Sequence, residues 1–173
     1  MNQVLDPAAP PADPAAQHDT PASAIWSDAQ LVLLALQVDP VGLGGVWLRA
    51  GHGPVRAAWL AQLACAMGAR PLVKVPHHVD AERLLGGADL THTLQTGALQ
   101  WHQGLLAQAH GGMAVLAMAE RLGAATAAQV LQTLDRARIR QQHGEADCRF
   151  GIVALDESGE DEPEGAVGSC LHF

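Results

Sequence analysis

The chain has 173 residues, 49% of them apolar, enough for one domain of ordinary size with a hydrophobic core. Ten Lys and Arg against eighteen Asp and Glu give a formal charge of −8, which excludes an electrostatic footprint for nucleic acid or anionic lipid and leaves protein or small-molecule partners. The longest apolar runs, residues 31–36 and 113–119, fall far below the ~20 residues that cross a bilayer, and the chain does not open on the basic-then-apolar pattern of a secretory leader.

Residues 1–24 are mostly Pro, Ala, Asp and Gln, with hardly a large apolar side chain after Leu5. Such a segment cannot bury enough surface to offset its ordering entropy, so a disordered arm is expected there and the folded unit is expected over 25–173. From Trp26 the pattern changes. Ser27 or Asp28 can cap a helix whose apolar positions Leu31, Leu34, Ala35 and Val38 recur at helical spacing and which stops before Pro40.

Four short apolar segments follow, residues 45–49, 71–75, 113–118 and 150–155, and helical patterns over 55–67, 80–85, 104–109 and 124–135 alternate with them. Strands with no polar face need burial on both sides, so the order predicts an α/β fold with a mainly parallel sheet between helical layers. Residues 138–142 and 146–149 flank His143-Gly144-Glu145, a glycine-containing connection that could close a hairpin.

In such a sheet a ligand binds where the first strand feeds a helix, because the helix N-terminus offers unpaired amides to phosphate. That place is Arg49-Ala50-Gly51-His52-Gly53-Pro54-Val55-Arg56-Ala57-Ala58. A dinucleotide fingerprint would need glycine where Arg56 stands, and a working phosphate loop would need Gly-Lys followed by Ser or Thr. Neither pattern is satisfied.

Residues Gly42-Leu43-Gly44-Gly45-Val46-Trp47-Leu48-Arg49-Ala50, then Gly53-Pro54-Val55-Arg56, resemble the first strand and degenerate phosphate loop of magnesium chelatase D subunits. Further blocks resemble the same family in order: Glu82-Arg83-Leu84-Leu85-Gly86-Gly87-Ala88-Asp89-Leu90, Gly104-Leu105-Leu106-Ala107 through Gly111-Gly112, and Leu116-Ala117-Met118-Ala119-Glu120-Arg121-Leu122. The resemblance covers about residues 26–173.

The resemblance implies an AAA+, phosphate-loop-NTPase-like three-layer sandwich whose ATPase residues are gone. The phosphate-loop lysine falls on Arg56, the magnesium-binding hydroxyl on Ala57 and the preceding glycine on Val55, so Gly51, Gly53, Pro54, Val55, Arg56 and Ala57 form a vestigial nucleotide site. The Asp-Glu pair that would hold Mg2+ and polarise water falls on Ala117-Met118, whose methyl and thioether groups do neither. The sensor position falls on Asp156 or Glu157, and the arginine finger on Cys170 or His172. D subunits continue through a lid, an acidic linker and an integrin-like domain; none of these is expected in this chain, which is expected to stop before the last core strand.

Function follows from the same resemblance. The chain is expected to be a non-hydrolysing AAA+ subunit of magnesium chelatase that scaffolds and couples the active ATPase I subunit and the porphyrin-binding H subunit. The complex inserts Mg2+ into protoporphyrin IX for chlorophyll or bacteriochlorophyll. ATP and Mg2+ are then used by the partner, this chain holding no cofactor or metal of its own. Arg49 and Arg56 are candidate interface residues, the alternative for Arg56 being a pair with a carboxylate of its own acidic loop. The competing reading is an active AAA+ ATPase of I-subunit or MoxR-like type with unusual motifs, against which the lost carboxylates at Ala117-Met118 argue.

Other features are read structurally. His77-His78 with Asp80 is taken as a loop after the second strand instead of a metal or porphyrin site, and the acidic run from Asp156 to Glu164 as a solvated loop. Trp47, Trp59 and Trp101 are taken as core or interface anchors. Cys65, Cys148 and Cys170 are odd in number and lack a zinc pattern, which fits thiols in a reducing cytoplasm.

Overall fold

In the computed structural model residues 21–158 are described, except 89, 100, 142 and 143. Helix α1 (Pro21–Val38) leads into strand β1 (Gly45–Arg49), helix α2 (Pro54–Met67) and strand β2 (Leu72–Val75). A short helix α3 (Ala81–Leu85) is followed by β3 (Gly86–Ala88), α4 (Leu90–Thr96), β4 (Trp101–Gln103) and α5 (Leu105–Gln108). Strand β5 (Met113–Leu116) runs through a 3-10 turn (Ala119–Arg121) into α6 (Ala124–Arg136), the hairpin β6 (Arg138–Gln141) and β7 (Gly144–Asp147), and finally β8 (Gly151–Asp156).

The central sheet has the order β1-β8-β5-β2 with every pair parallel. Side chains alternate across it, as the pleat requires. Met113, Val115, Val153 and Leu155 join Leu33 and Leu36 of α1 and Trp59, Leu63 and Met67 of α2 in one core. Ala114, Leu116, Ile152 and Ala154 face the other way, into a core with Leu84, Leu106, Val130 and Phe150. Two cores on opposite faces of one sheet make a three-layer α/β arrangement and account for strands without a polar face.

Local rules set the elements. In α2, Pro54 sits in the first turn, where its missing N–H costs nothing, and Trp59, Leu63 and Met67 recur every four residues along the buried stripe. Asp80 caps α3, its carboxylate accepting the Arg83 N–H at 2.7 Å. Gly104 and Gly112 are glycines because a Cβ would strike backbone: that of Leu84 to Gly86 in the first case, the Pro71 carbonyl in the second. Hence α5 and β5 lie tight against their neighbours.

Several boundaries differ from the sequence expectation. Helix α1 begins at Pro21, so Ser27 and Asp28 lie inside it and not at its start; a proline is accommodated at a helix start, and the alanines around it favour helix. The helix therefore takes in residues 21–24, assigned to the arm; residues 1–20 lie outside the described residues. Strand β5 stops at Leu116 instead of running to Met118, because Met118 is left-handed (φ 51°) and turns the chain. The insertion β3-α4-β4 went unread: two three-residue strands and a polar helix carry too little periodicity to register. Among the described residues, no helix is long and apolar enough to cross a membrane.

Candidate functional site at the carboxyl ends of the strands

In a parallel sheet all strands end on one edge. Here β1 ends at Arg49 opposite Asp156 of β8, and β5 on the far side of β8 delivers Ala117 and Met118 just past its last residue. The loop from Ala50 to Gly53 then feeds α2, whose first turn carries Pro54, Val55, Arg56 and Ala57. A cavity of about 440 Å3 opens there, bounded by Gly53, Arg56, Ala57, Ala117, Met118 and Glu157, with Lys74 of β2 also on its wall. The sequence-predicted phosphate-loop and magnesium positions are thus brought together. A second, mostly apolar cavity of about 660 Å3 lies on the other side of the loop, between it and Ile25, Trp26 and Ala29 of α1.

Arg56 is only 9% exposed. Its Nη1 donates to Glu157 Oε1 at 2.7 Å and to the Ala50 carbonyl at 3.2 Å. A buried guanidinium needs an anion, and the chain supplies one of its own. Arg56 thus makes a pair with a carboxylate of its own chain. The Glu157 amide in turn donates to Glu120 Oε2 at 3.2 Å, so the carboxylate is carried on a held segment.

Asp156 is fully buried, contrary to the expectation of a solvated acidic loop; Glu160, Asp161, Glu162 and Glu164 lie outside the described residues. One Asp156 oxygen accepts from Trp47 Nε1 at 3.1 Å and Arg49 Nε at 2.8 Å; the other accepts the Ser158 amide at 2.8 Å and the Ser158 hydroxyl. Burial alone would raise its pKa, but the bonds from Ser158, Arg49 and Trp47 together outweigh that and hold it below the ordinary carboxylate value. Asp156 thereby ties the ends of β1 and β8 together. Arg49, 33% exposed, is the candidate interface arginine that still reaches solvent.

Ala57, Ala117 and Met118, where the resemblance expects the ligands of a magnesium-nucleotide, line the cavity without an oxygen donor among them, so these side chains do not fit that group. Glu120 Oε1 is buried and accepts no hydrogen bond, but it lies 3.5 Å from Arg121 Nε and Glu120 is not on the cavity wall. Among the described residues no group of three His, Cys, Asp or Glu could hold a metal ion.

The remaining candidates fall elsewhere. His77 and His78 stack edge-on at 4.9 Å in the turn after β2, while Asp80 is spent on capping α3. Trp59 is core and donates to the Ala29 carbonyl at 3.0 Å, Trp47 serves Asp156, and Trp101 is half-buried beside the β6-β7 hairpin. Cys148 is buried, its thiol donating to the Leu106 carbonyl at 3.3 Å, and burial pushes its pKa up to about 11. Cys65 is exposed; Cys170 and His172 lie outside the described residues. Sequence reasoning missed Asp156 as a buried hub and Glu120 as the holder of Glu157. One signal was available for the first: Arg49 and Asp156 end two apolar strands, and opposite charges at equivalent strand ends can pair.

No protein-family model matches the chain. It is 36% identical over 135 residues to the magnesium-chelatase 60 kDa subunit of Rhodobacter capsulatus, and 34% identical over 153 residues to that of Cereibacter sphaeroides. These matches cover 78% and 86% of this chain but only 21% and 24% of the relatives, so the chain spans about a quarter or less of the proteins it matches. A structure of the complex between subunits BchI and BchD of magnesium chelatase shares the fold with a TM-score of 0.58 at 18% identity, covering 80% of this chain and 56% of that one. NtrX from Brucella abortus follows at 0.56 and 14% identity, covering 78% and 30%. In sequence the chain is a homologue of part of the magnesium-chelatase 60 kDa subunits, and its mainly parallel α/β fold is that of the BchI–BchD magnesium chelatase structure.

Proposed function

We propose that this chain serves as a non-hydrolysing AAA+ element of a magnesium chelatase D-type subunit in the cytoplasm. It scaffolds an active ATPase I subunit and couples it to the porphyrin-binding H subunit for ATP-dependent insertion of Mg2+ into protoporphyrin IX. The observation that supports this reading is the wall of the 440 Å3 cavity, to which Ala57, Ala117 and Met118 contribute methyl and thioether groups and no oxygen donor. Hydrolysis of a phosphoanhydride depends on neutralising charge and orienting water, and methyl and thioether groups supply neither.

The partner face is the one around the loop. Arg49 reaches solvent there, and Ile25, Trp26 and Val55 are apolar and exposed beside the second cavity. Apolar surface rimmed by an arginine suits a protein neighbour better than open water. Arg56 contributes to that face by shaping the loop, its guanidinium already paired.

The test combines turnover and assembly. The purified chain should release no phosphate from ATP above a protein-free blank, and should co-elute with an I subunit when ATP is present. Phosphate release that Arg56→Ala abolishes, or failure to associate under any nucleotide condition, would overturn the proposal.

A further inference from the structure

We infer that the phosphate position of this site is filled from within by the Glu157 carboxylate, so that the pocket is closed to nucleoside triphosphates as well as unable to hydrolyse them. This goes beyond the function proposed above, since a subunit lacking metal ligands could still hold ATP as a static ligand. The anchor is Arg56, which the family resemblance places at the phosphate-binding lysine. Its guanidinium is 9% exposed and is already bonded to Glu157 Oε1 at 2.7 Å and to the Ala50 carbonyl at 3.2 Å. An incoming phosphate would have to break a short charge-assisted bond to form another of the same kind, which leaves little net gain.

The carboxylate is also held where it is. Glu157 hangs from Glu120 through its amide, at 3.2 Å. It is preceded by the buried Asp156, which Trp47, Arg49 and Ser158 fix, so its backbone is held at the junction of β1 and β8 and its carboxylate is held by the Arg56 pair. Glu157 and Arg56 share the wall of the same cavity. A polyphosphate there would face a negative charge paired with Arg56, in a half-buried setting where screening is weak. The first turn of α2 compensates poorly, because Pro54 contributes no N–H to a bound anion. Lys74 adds a positive charge on the far wall and gives the opened pocket a second cation for an anion.

The experiment is calorimetric titration of the chain with ATP, with and without Mg2+, and with inorganic pyrophosphate. Wild type, Glu157→Gln and the double variant Arg56→Ala/Glu157→Gln are compared, with folding checked by circular dichroism. Wild type is expected to give no binding heat at millimolar ligand. Glu157→Gln is expected to bind pyrophosphate at least about tenfold more tightly than wild type, since one fixed like charge leaves the site, and the double variant should lose that gain. Should Glu157→Gln fail to fold, the wild-type titration still decides: ATP binding at micromolar concentration means the site is open and the inference fails. It fails equally if folded Glu157→Gln binds no more tightly than wild type, because something other than this carboxylate then closes the pocket. ATP binding without turnover would overturn only this inference, whereas turnover would overturn the proposed function.

Discussion

Asp156→Asn offers the sharpest check on how the site is held together. The carboxylate is fully buried and accepts four hydrogen bonds, two on each oxygen. An asparagine of the same shape can accept on one side only, so its amide group must point either at Trp47 and Arg49 or at Ser158, donor against donor. Each hydrogen bond to a charged group is worth about 1.5 to 3 kcal/mol, but Arg49 is a third exposed and water can replace its share. Discounting that bond leaves a loss of about 2 to 4 kcal/mol at neutral pH, read as the shift in urea midpoint at unchanged slope. The loss should also depend on pH. Because the folded-state pKa of Asp156 is depressed, its stabilisation is complete above the ordinary carboxylate value near 3.8 and is lost as pH falls through the lower folded value. Wild type and variant should therefore differ fully at pH 7 and converge as the solution is acidified below that point. A loss under about 0.5 kcal/mol at pH 7, the size typical of a neutral surface substitution, would refute the hub. A difference that stays constant with acidification would refute the charge-based account.

Two further outcomes follow from the packing. Leu63→Ala empties a fully buried position between α2 and the sheet and should cost about 2 to 5 kcal/mol in urea unfolding, whereas Leu34→Ala, 59% exposed on α1, should cost under about 0.5 kcal/mol; equal losses would show that the outer face of α1 is covered. With a thiol reagent at pH 8, peptide mapping should find Cys65 labelled and Cys148 protected until the chain is unfolded, since burial raises the Cys148 pKa to about 11 and keeps it a thiol; labelling of both at similar rates would refute the buried placement.

The sequence by itself determined the layered class. Residues 45–49, 71–75, 113–118 and 150–155 are too uniformly apolar for a one-sided sheet, and that pattern depends only on each strand being covered twice. It determined the helix α2 as well, because Pro54 in the first turn and a four-residue apolar repeat are local signals. That Ala57, Ala117 and Met118 carry no oxygen donor was equally legible, for the chemistry of a side chain is a property of the residue and needs no coordinates. Tertiary structure alone decided how the charges are spent. Arg56 and Glu157 are 101 positions apart, and Arg49 and Asp156 are 107 apart; each pair meets because β1 and β8 lie side by side in parallel register. Charge and hydropathy along the chain made Asp156 the first member of a solvated acidic run. The sheet instead buries it as the last residue of an inner strand, because burying a carboxylate is unfavourable only until enough donors surround it, and those donors come from β1 and from the turn after β8.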